Sequence, residues 1–210
     1  MKNFIGKGKF IVFEGGEACG KSTQINLLKK QLSNQNFIFT REPGGTKIAD
    51  EIREIIVTGS KDKLLPKTEL ALIYAARNEH LHKVILPNLE AGINVISDRF
   101  NLSTYIYQGQ AENLGHDLID QFNKLFLNNF SPDLTYIFDI DQETANKRIK
   151  KRNNINERFE KFPKEFHQKI RESYLEYSKK TPNCHIINAK EAIEIINQKL
   201  ISEITEFTKN

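Results

Sequence analysis

Nine consecutive residues, Gly15-Gly16-Glu17-Ala18-Cys19-Gly20-Lys21-Ser22-Thr23, have the types and spacing that bind a polyphosphate. They satisfy the pattern G-x-x-x-x-G-K-S/T, and glycines at both ends let the backbone wrap closely enough to aim successive N–H groups inward. A helix starting near Lys21 would add the positive end of its dipole. Lys21 is placed to reach the outer phosphates, and the Ser22 hydroxyl to hold a magnesium ion. The pattern carries meaning only between a strand and a helix. Phe10-Ile11-Val12-Phe13 precedes it, and Ile25, Leu27, Leu28 and Leu32 follow at helical spacing.

The elements that must position this loop alternate along the chain. Strands are read at 9–14, 37–40, 93–96, 134–140 and 185–187. Helices are read at 20–33, from Ile48 to Ile56, from Pro66 to near Gly92, at 100–109, 116–129, 141–152 and 162–180, and at the C-terminus. Strands separated by helices predict an open five-stranded parallel sheet with helices on both faces, and ligands at the strands' C-terminal ends. The chemically suggestive residues do follow strands: the glycine loop the first, Arg41 the second, Asp98-Arg99 the third. Asp98 suits a carboxylate ordering magnesium's water shell, with capping of the next helix as the alternative. Arg99 would neutralise a phosphate in the same crevice.

Arg77 lies on the apolar stripe Leu70, Ile73, Tyr74, Leu81, Val84, Ile85. A buried, unpaired guanidinium costs several kcal/mol, roughly, so it needs an anion. An internal carboxylate or snorkelling to the surface would serve, but convergence with Arg41 and Arg99 favours the phosphate of an acceptor. Arg148 and Arg152 share a helix face, and Arg158 follows the polar break Asn153-Asn154-Ile155-Asn156. A basic, polar segment of this kind, about 148–160, reads as a lid that closes over phosphates.

At 210 residues, 39% hydrophobic and 28% charged, the chain reads as one soluble domain over 1–210. A net charge of +4 suits small anions and not nucleic acid, and no apolar run approaches a membrane span. Two cysteines, one of them in the phosphate loop, do not make a disulfide framework, and a cytoplasmic setting is expected.

The chain resembles the bacterial thymidylate kinases, within the P-loop nucleoside-monophosphate kinases. The motifs carrying the resemblance are Phe13-Glu14-Gly15 through Thr23; Thr40-Arg41-Glu42-Pro43-Gly44-Gly45-Thr46; Tyr74-Ala75-Ala76-Arg77; Asp98-Arg99-Phe100 with Ser103 and Tyr107-Gln108-Gly109; and Ser131-Pro132-Asp133-Leu134-Thr135. The resemblance implies a three-layer P-loop kinase fold with a short lid, and Mg²⁺-dependent transfer from ATP to dTMP. It places residues 15–23 around ATP, with Ser22 and Asp98 at the metal. It gives the dTMP phosphate to Arg77 and Arg99 and puts Glu17 near the sugar hydroxyl. Tyr107 then crowds a ribose 2′-OH, Thr104 and Gln108 lie by the base, and Arg41, Pro43, Ile73 and Ser103 complete the acceptor site. Ile73 stands where many members stack a ring on thymine, with Tyr74 or Phe100 as substitutes. Ala18 replaces a loop arginine found in some members, so the catalytic set is Lys21, Arg99 and a lid arginine, Arg158 first and Arg152 second. A homodimer is also implied. The competing readings are a kinase for another mononucleotide or a deoxynucleoside, or a nucleotide-dependent switch. The switch would need no acceptor site and, if GTP-specific, would want an Asn-Lys-x-Asp motif that is absent.

Overall fold

The structure is a computed structural model that describes residues 8–33, 35–60, 63–151, 158–181 and 183–209. Five parallel strands, β1 (Phe10–Glu14), β2 (Phe37–Arg41), β3 (Asn94–Asp98), β4 (Leu134–Asp139) and β5 (Cys184–Asn188), form one sheet in the order β2-β3-β1-β4-β5. The register pairs Phe13 with Asp98 on one side of β1 and with Tyr136 on the other. From β1 the chain moves to the left half for β2 and β3, then returns to the right for β4. Its C-terminal edge is therefore the point where a crevice opens.

β1 is buried along its whole length, and its alternate residues feed two cores. Ile11 and Phe13 pack with Leu28 of α1 (Lys21–Gln31) and Leu200 of α9 (Ile193–Phe207). Phe10 and Val12 pack with Leu70 and Tyr74 of α3 (Pro66–His80) and Ile119 of α6 (His116–Leu127). That two-residue alternation is what places helices on both faces. The remaining helices are α2 (Lys47–Val57), α4 (Leu86–Glu90), α5 (Asn101–Thr104), α7 (Gln142–Lys151) and α8 (Lys164–Lys180). Among the described residues no helix is long and apolar enough to cross a membrane.

The helix read from Pro66 to near Gly92 is continuous but not uniform. Between α3 and α4 the turn Leu81–Ile85 is π-helical, just ahead of Pro87. Proline lacks an N–H and crowds the carbonyl four residues back, and the widened turn relieves both. A second π-helical stretch, Tyr105–Ala111, continues α5. It sets Tyr107 and Gln108, both buried, toward the crevice.

Candidate active site

The phosphate loop turns directly out of β1. Gly15 has φ +137°, and a Cβ there would lie 2.6 Å from the Phe138 carbonyl, so only glycine fits between the two strands. Lys21 is buried and folds back on the loop, donating from Nζ to the carbonyls of Gly15 (3.1 Å) and Gly16 (3.3 Å). Arg148 of α7 braces the loop from behind through the carbonyls of Ala189 (2.7 Å) and Ala18 (3.4 Å). Ser22 Oγ donates to Asp98 Oδ2 at 3.0 Å, bringing together the two residues read as a metal pair.

Beside the loop, Arg99 holds a left-handed backbone (φ 74°), an uncommon conformation for arginine. Its N–H donates to the Phe13 carbonyl across the sheet edge (2.9 Å). One guanidinium nitrogen donates to Glu17 Oε1 (2.9 Å) and Tyr107 Oη (3.2 Å), the other to Ser103 Oγ (3.0 Å). Burial pushes the Glu17 carboxyl up, but Arg99 and Lys21 outweigh it and hold it below the usual carboxylate range. Burial, with Glu17 adding to it, raises the Tyr107 hydroxyl well above its ordinary value. Tyr107 is therefore a neutral donor, and it bonds Glu17 at 2.9 Å.

Behind Arg99 stands Glu14, a carboxylate inside an apolar strand. It accepts from the N–H groups of Phe100 (3.0 Å) and Ser103 (3.2 Å), serving as the cap that α5 lacks in its own sequence. Tyr174 of α8 donates to it from the other side (2.9 Å). Burial raises the Glu14 carboxyl despite Arg99 and these hydrogen bonds.

A pocket of about 550 Å³, partly open to solvent, adjoins Glu17 and Arg99. Of the residues read as acceptor contacts, Glu17, Pro43, Ile73, Arg77, Arg99, Ser103, Thr104, Tyr107 and Gln108 line it. Arg41 does not. It is mostly exposed, lies 3.5 Å from Asp50, and faces a separate cleft shared with Ser22 and Asp98. Arg53 of α2 is on the pocket wall instead, donating to the Pro43 carbonyl at 3.1 Å.

Arg77 has an internal carboxylate after all. Its Nε donates to Glu42 Oε2 at 2.5 Å, and Glu42 Oε1 accepts from His80 Nδ1 at 2.9 Å. A carboxylate only accepts, so His80 carries a proton on Nδ1, and its Nε2 lies 2.6 Å from the Thr40 hydroxyl. Gly45 closes over this chain, where a Cβ would meet the His80 ring at 2.4 Å. The internal carboxylate, the alternative read from the sequence, is thus present, Arg41 does not converge with the other two arginines, and Arg77 borders the pocket. The other two guanidinium nitrogens are met by Asn101 Oδ1 (3.0 Å) and the Phe100 carbonyl (3.2 Å). Tyr74 and Phe100, the rings expected to replace a stacking aromatic at Ile73, face the Arg77 guanidinium (5.1 and 5.4 Å from their centroids). The aromatic rings that line the pocket are Tyr107 and Phe159, edge-on to each other at 5.6 Å.

Arg158 is also corrected. Read as a lid residue free to swing onto phosphates, it is buried and ion-paired with Glu69 of α3, near the Ile56 carbonyl. The cause is tertiary: Glu69 needs a cation in an apolar setting, and the short 3₁₀ turn Arg158–Lys161 delivers one. Arg152 lies outside the described residues.

Comparison with known proteins agrees with this geometry. The family model for thymidylate kinase matches residues 13–200. The chain is 39% identical to a thymidylate kinase of Mycoplasmoides gallisepticum, with 97% of each chain covered. It is 40% identical to that of Mycoplasma capricolum, covering 95% of this chain and 96% of the relative. The crystal structure of thymidylate kinase from Ehrlichia chaffeensis superposes with a TM-score of 0.73 at 32% identity, over 94% of this chain and 98% of that one. This chain belongs to the thymidylate kinase family. It is therefore a transferase of nucleotide biosynthesis with the family's P-loop fold, and its strand order, loop and pocket are to be read as those of a nucleotide-binding kinase.

Proposed function

We propose that this chain transfers the γ-phosphoryl group of ATP to dTMP, with ATP on the phosphate loop and dTMP in the adjoining pocket. The carrying observation is that one pocket beside Lys21 and Arg99 gathers nearly all of the expected acceptor contacts. A phosphate monoester is mostly dianionic near neutral pH, its second pKa being about 6, so no general base is required. The protein's task is to hold two anions in line and neutralise their repulsion. Lys21 leaves the carbonyls of Gly15 and Gly16 for the donor's outer phosphates. Arg99, held by Glu17 and Tyr107, meets the acceptor phosphate, and Arg77, fixed by Glu42, supplies a further cationic wall.

Ser22 and Asp98 offer neighbouring hard oxygen donors, which suits Mg²⁺ with its preference for few carboxylates and for phosphate oxygens. Magnesium, when bound there, would neutralise phosphate oxygens of the donor. We further read the chain as cytoplasmic and homodimeric. Apolar side chains left exposed on α2 (Ile48, Ile55) and α6 (Leu125) support the dimer. A switch protein would have no use for an acceptor pocket of this composition.

The test is ADP release with Mg·ATP across dTMP, CMP, UMP and AMP. dTMP should stimulate release far above the others; equal stimulation by all, or by none, removes this reading.

A further inference from the structure

Behind Gln108 and Phe159, which line the pocket, lies a buried ionic pair, Glu69 with Arg158. Glu69, fully buried in the first turn of α3, uses both carboxylate oxygens. Oε2 is ion-paired with Arg158 Nη1, and Oε1 lies 2.7 Å from Gln108 Nε2. An ionised carboxylate only accepts, so the Gln108 carboxamide can face it only with its NH₂ end; a carbonyl oxygen at that separation would be repelled. Gln108 is itself buried and lines the pocket, and among the described residues nothing donates to its Oε1.

We infer that Glu69 is a specificity-determining positioning residue: paired with Arg158, it locks the Gln108 carboxamide so that Oε1, an acceptor, faces the base of the bound nucleotide. The acceptor complements a pyrimidine that carries a proton on N3, as thymine does, and opposes cytosine, whose N3 is itself an acceptor. This rests on the reading of the pocket as the dTMP site. A second acid, Glu112, faces the same pair, and burial pushes its carboxyl up to about 7, with Glu69 adding to the rise and Arg158 opposing it. The direct ion-pair contact of Arg158 Nη1 is with Glu69 Oε2. A neutral amide at position 69 would accept or donate, and the lock would be lost.

The experiment measures kcat/KM for dTMP and for dCMP in the wild type, Glu69→Gln, Gln108→Leu and the double variant. Glu69→Gln should lower the dTMP:dCMP ratio roughly 10- to 100-fold, the range for a lost polar discrimination, with kcat at saturating dTMP largely kept. Gln108→Leu should lower the ratio by a similar factor, and adding Glu69→Gln to it should change the ratio no further. A residue acting only through general packing would lower activity toward both substrates and leave the ratio alone. If Glu69→Gln fails to fold because Arg158 loses this carboxylate, Gln108→Leu still decides: an unchanged ratio overturns the proposal. A further fall in the double variant, by a factor like that of Glu69→Gln alone, also overturns it, since Glu69 would then act independently of Gln108. A wild type that does not prefer dTMP to dCMP overturns both this inference and the assignment of the pocket. A wild type that does prefer dTMP, with variants that keep the preference, overturns the inference alone.

Discussion

Replacing Glu42 by glutamine removes one charge from a buried pair and leaves its partner in place. Glu42 and Arg77 are 2% and 3% exposed, and Nε and Oε2 are 2.5 Å apart. Breaking such a pair from one side costs about 3–5 kcal/mol, because the remaining charge stays buried without a counterion. For a chain of this size each kcal/mol moves Tm by about 2–4 °C, so Glu42→Gln should melt roughly 6–20 °C below the wild type. Arg77 borders the pocket, where water and anions can reach it, which places the result toward the lower end. Added inorganic phosphate should therefore recover more stability in the variant than in the wild type. The double variant Glu42→Gln/Arg77→Met should regain most of the loss, since replacing both charges is often close to neutral. The pH dependence has a definite sign. Burial raises the Glu42 carboxyl, but Arg77 and His80 outweigh it and the folded-state value lies below 4.5. The unfolded chain thus binds more protons below about pH 4.5, so the contribution of Glu42 is complete above that pH and is lost as the pH falls. Urea titrations at about pH 7.5 and about pH 4 measure both effects. A loss under about 1 kcal/mol at the higher pH, or a gap that widens on acidification, would refute the reasoning.

Two further outcomes follow from the site. Tyr107→Ala should relax the preference for dTMP over its ribose analogue, while Tyr107→Phe, which keeps the ring and loses the hydroxyl's bonds to Glu17 and Arg99, should keep it; comparing kcat/KM for the two nucleotides checks this, and an unchanged ratio in the alanine variant assigns sugar reading elsewhere. With Arg158 ion-paired to Glu69, we assign the transition-state role to Arg152: Arg152→Ala should lower kcat by at least about a hundredfold with little change in KM, within the scale of arginine fingers, and near-full kcat would sink that assignment.

The parts of the site that were legible in the sequence are those fixed by local geometry. The glycine loop, Ser22 with Asp98, and Arg99 all sit at strand ends, where spacing along the chain decides position. The alternation of strands with helices along the chain gave the parallel sheet with helices on both faces. What escaped depended on which distant groups meet. Glu42 sits in a Pro-Gly loop that reads as solvent-exposed, yet it folds under Arg77 and His80. Glu14 lies in an apolar strand where a carboxylate has no local purpose, and its role emerges only from α5, more than eighty residues on. Arg158 and Phe159 follow a polar segment whose landing place no periodicity encodes; one ion-pairs with Glu69, and the other lines the pocket. Arg53 is a polar position on α2 with no motif to mark it, and it reaches the pocket only because α2 packs beside Pro43. The π-helical turns had a signal in Pro87 for the first and none that we recognise for the second.

The most direct measurement follows the fate of the γ-phosphoryl group. With ATP labelled at that position, Mg²⁺ and dTMP, every ADP released should be matched by one labelled dTDP, and omitting dTMP should nearly abolish ADP formation. Label recovered as inorganic phosphate, at a rate indifferent to dTMP, would contradict the account: the loop would then hydrolyse nucleotide, and the pocket beside Arg99 would not be the phosphoryl acceptor's.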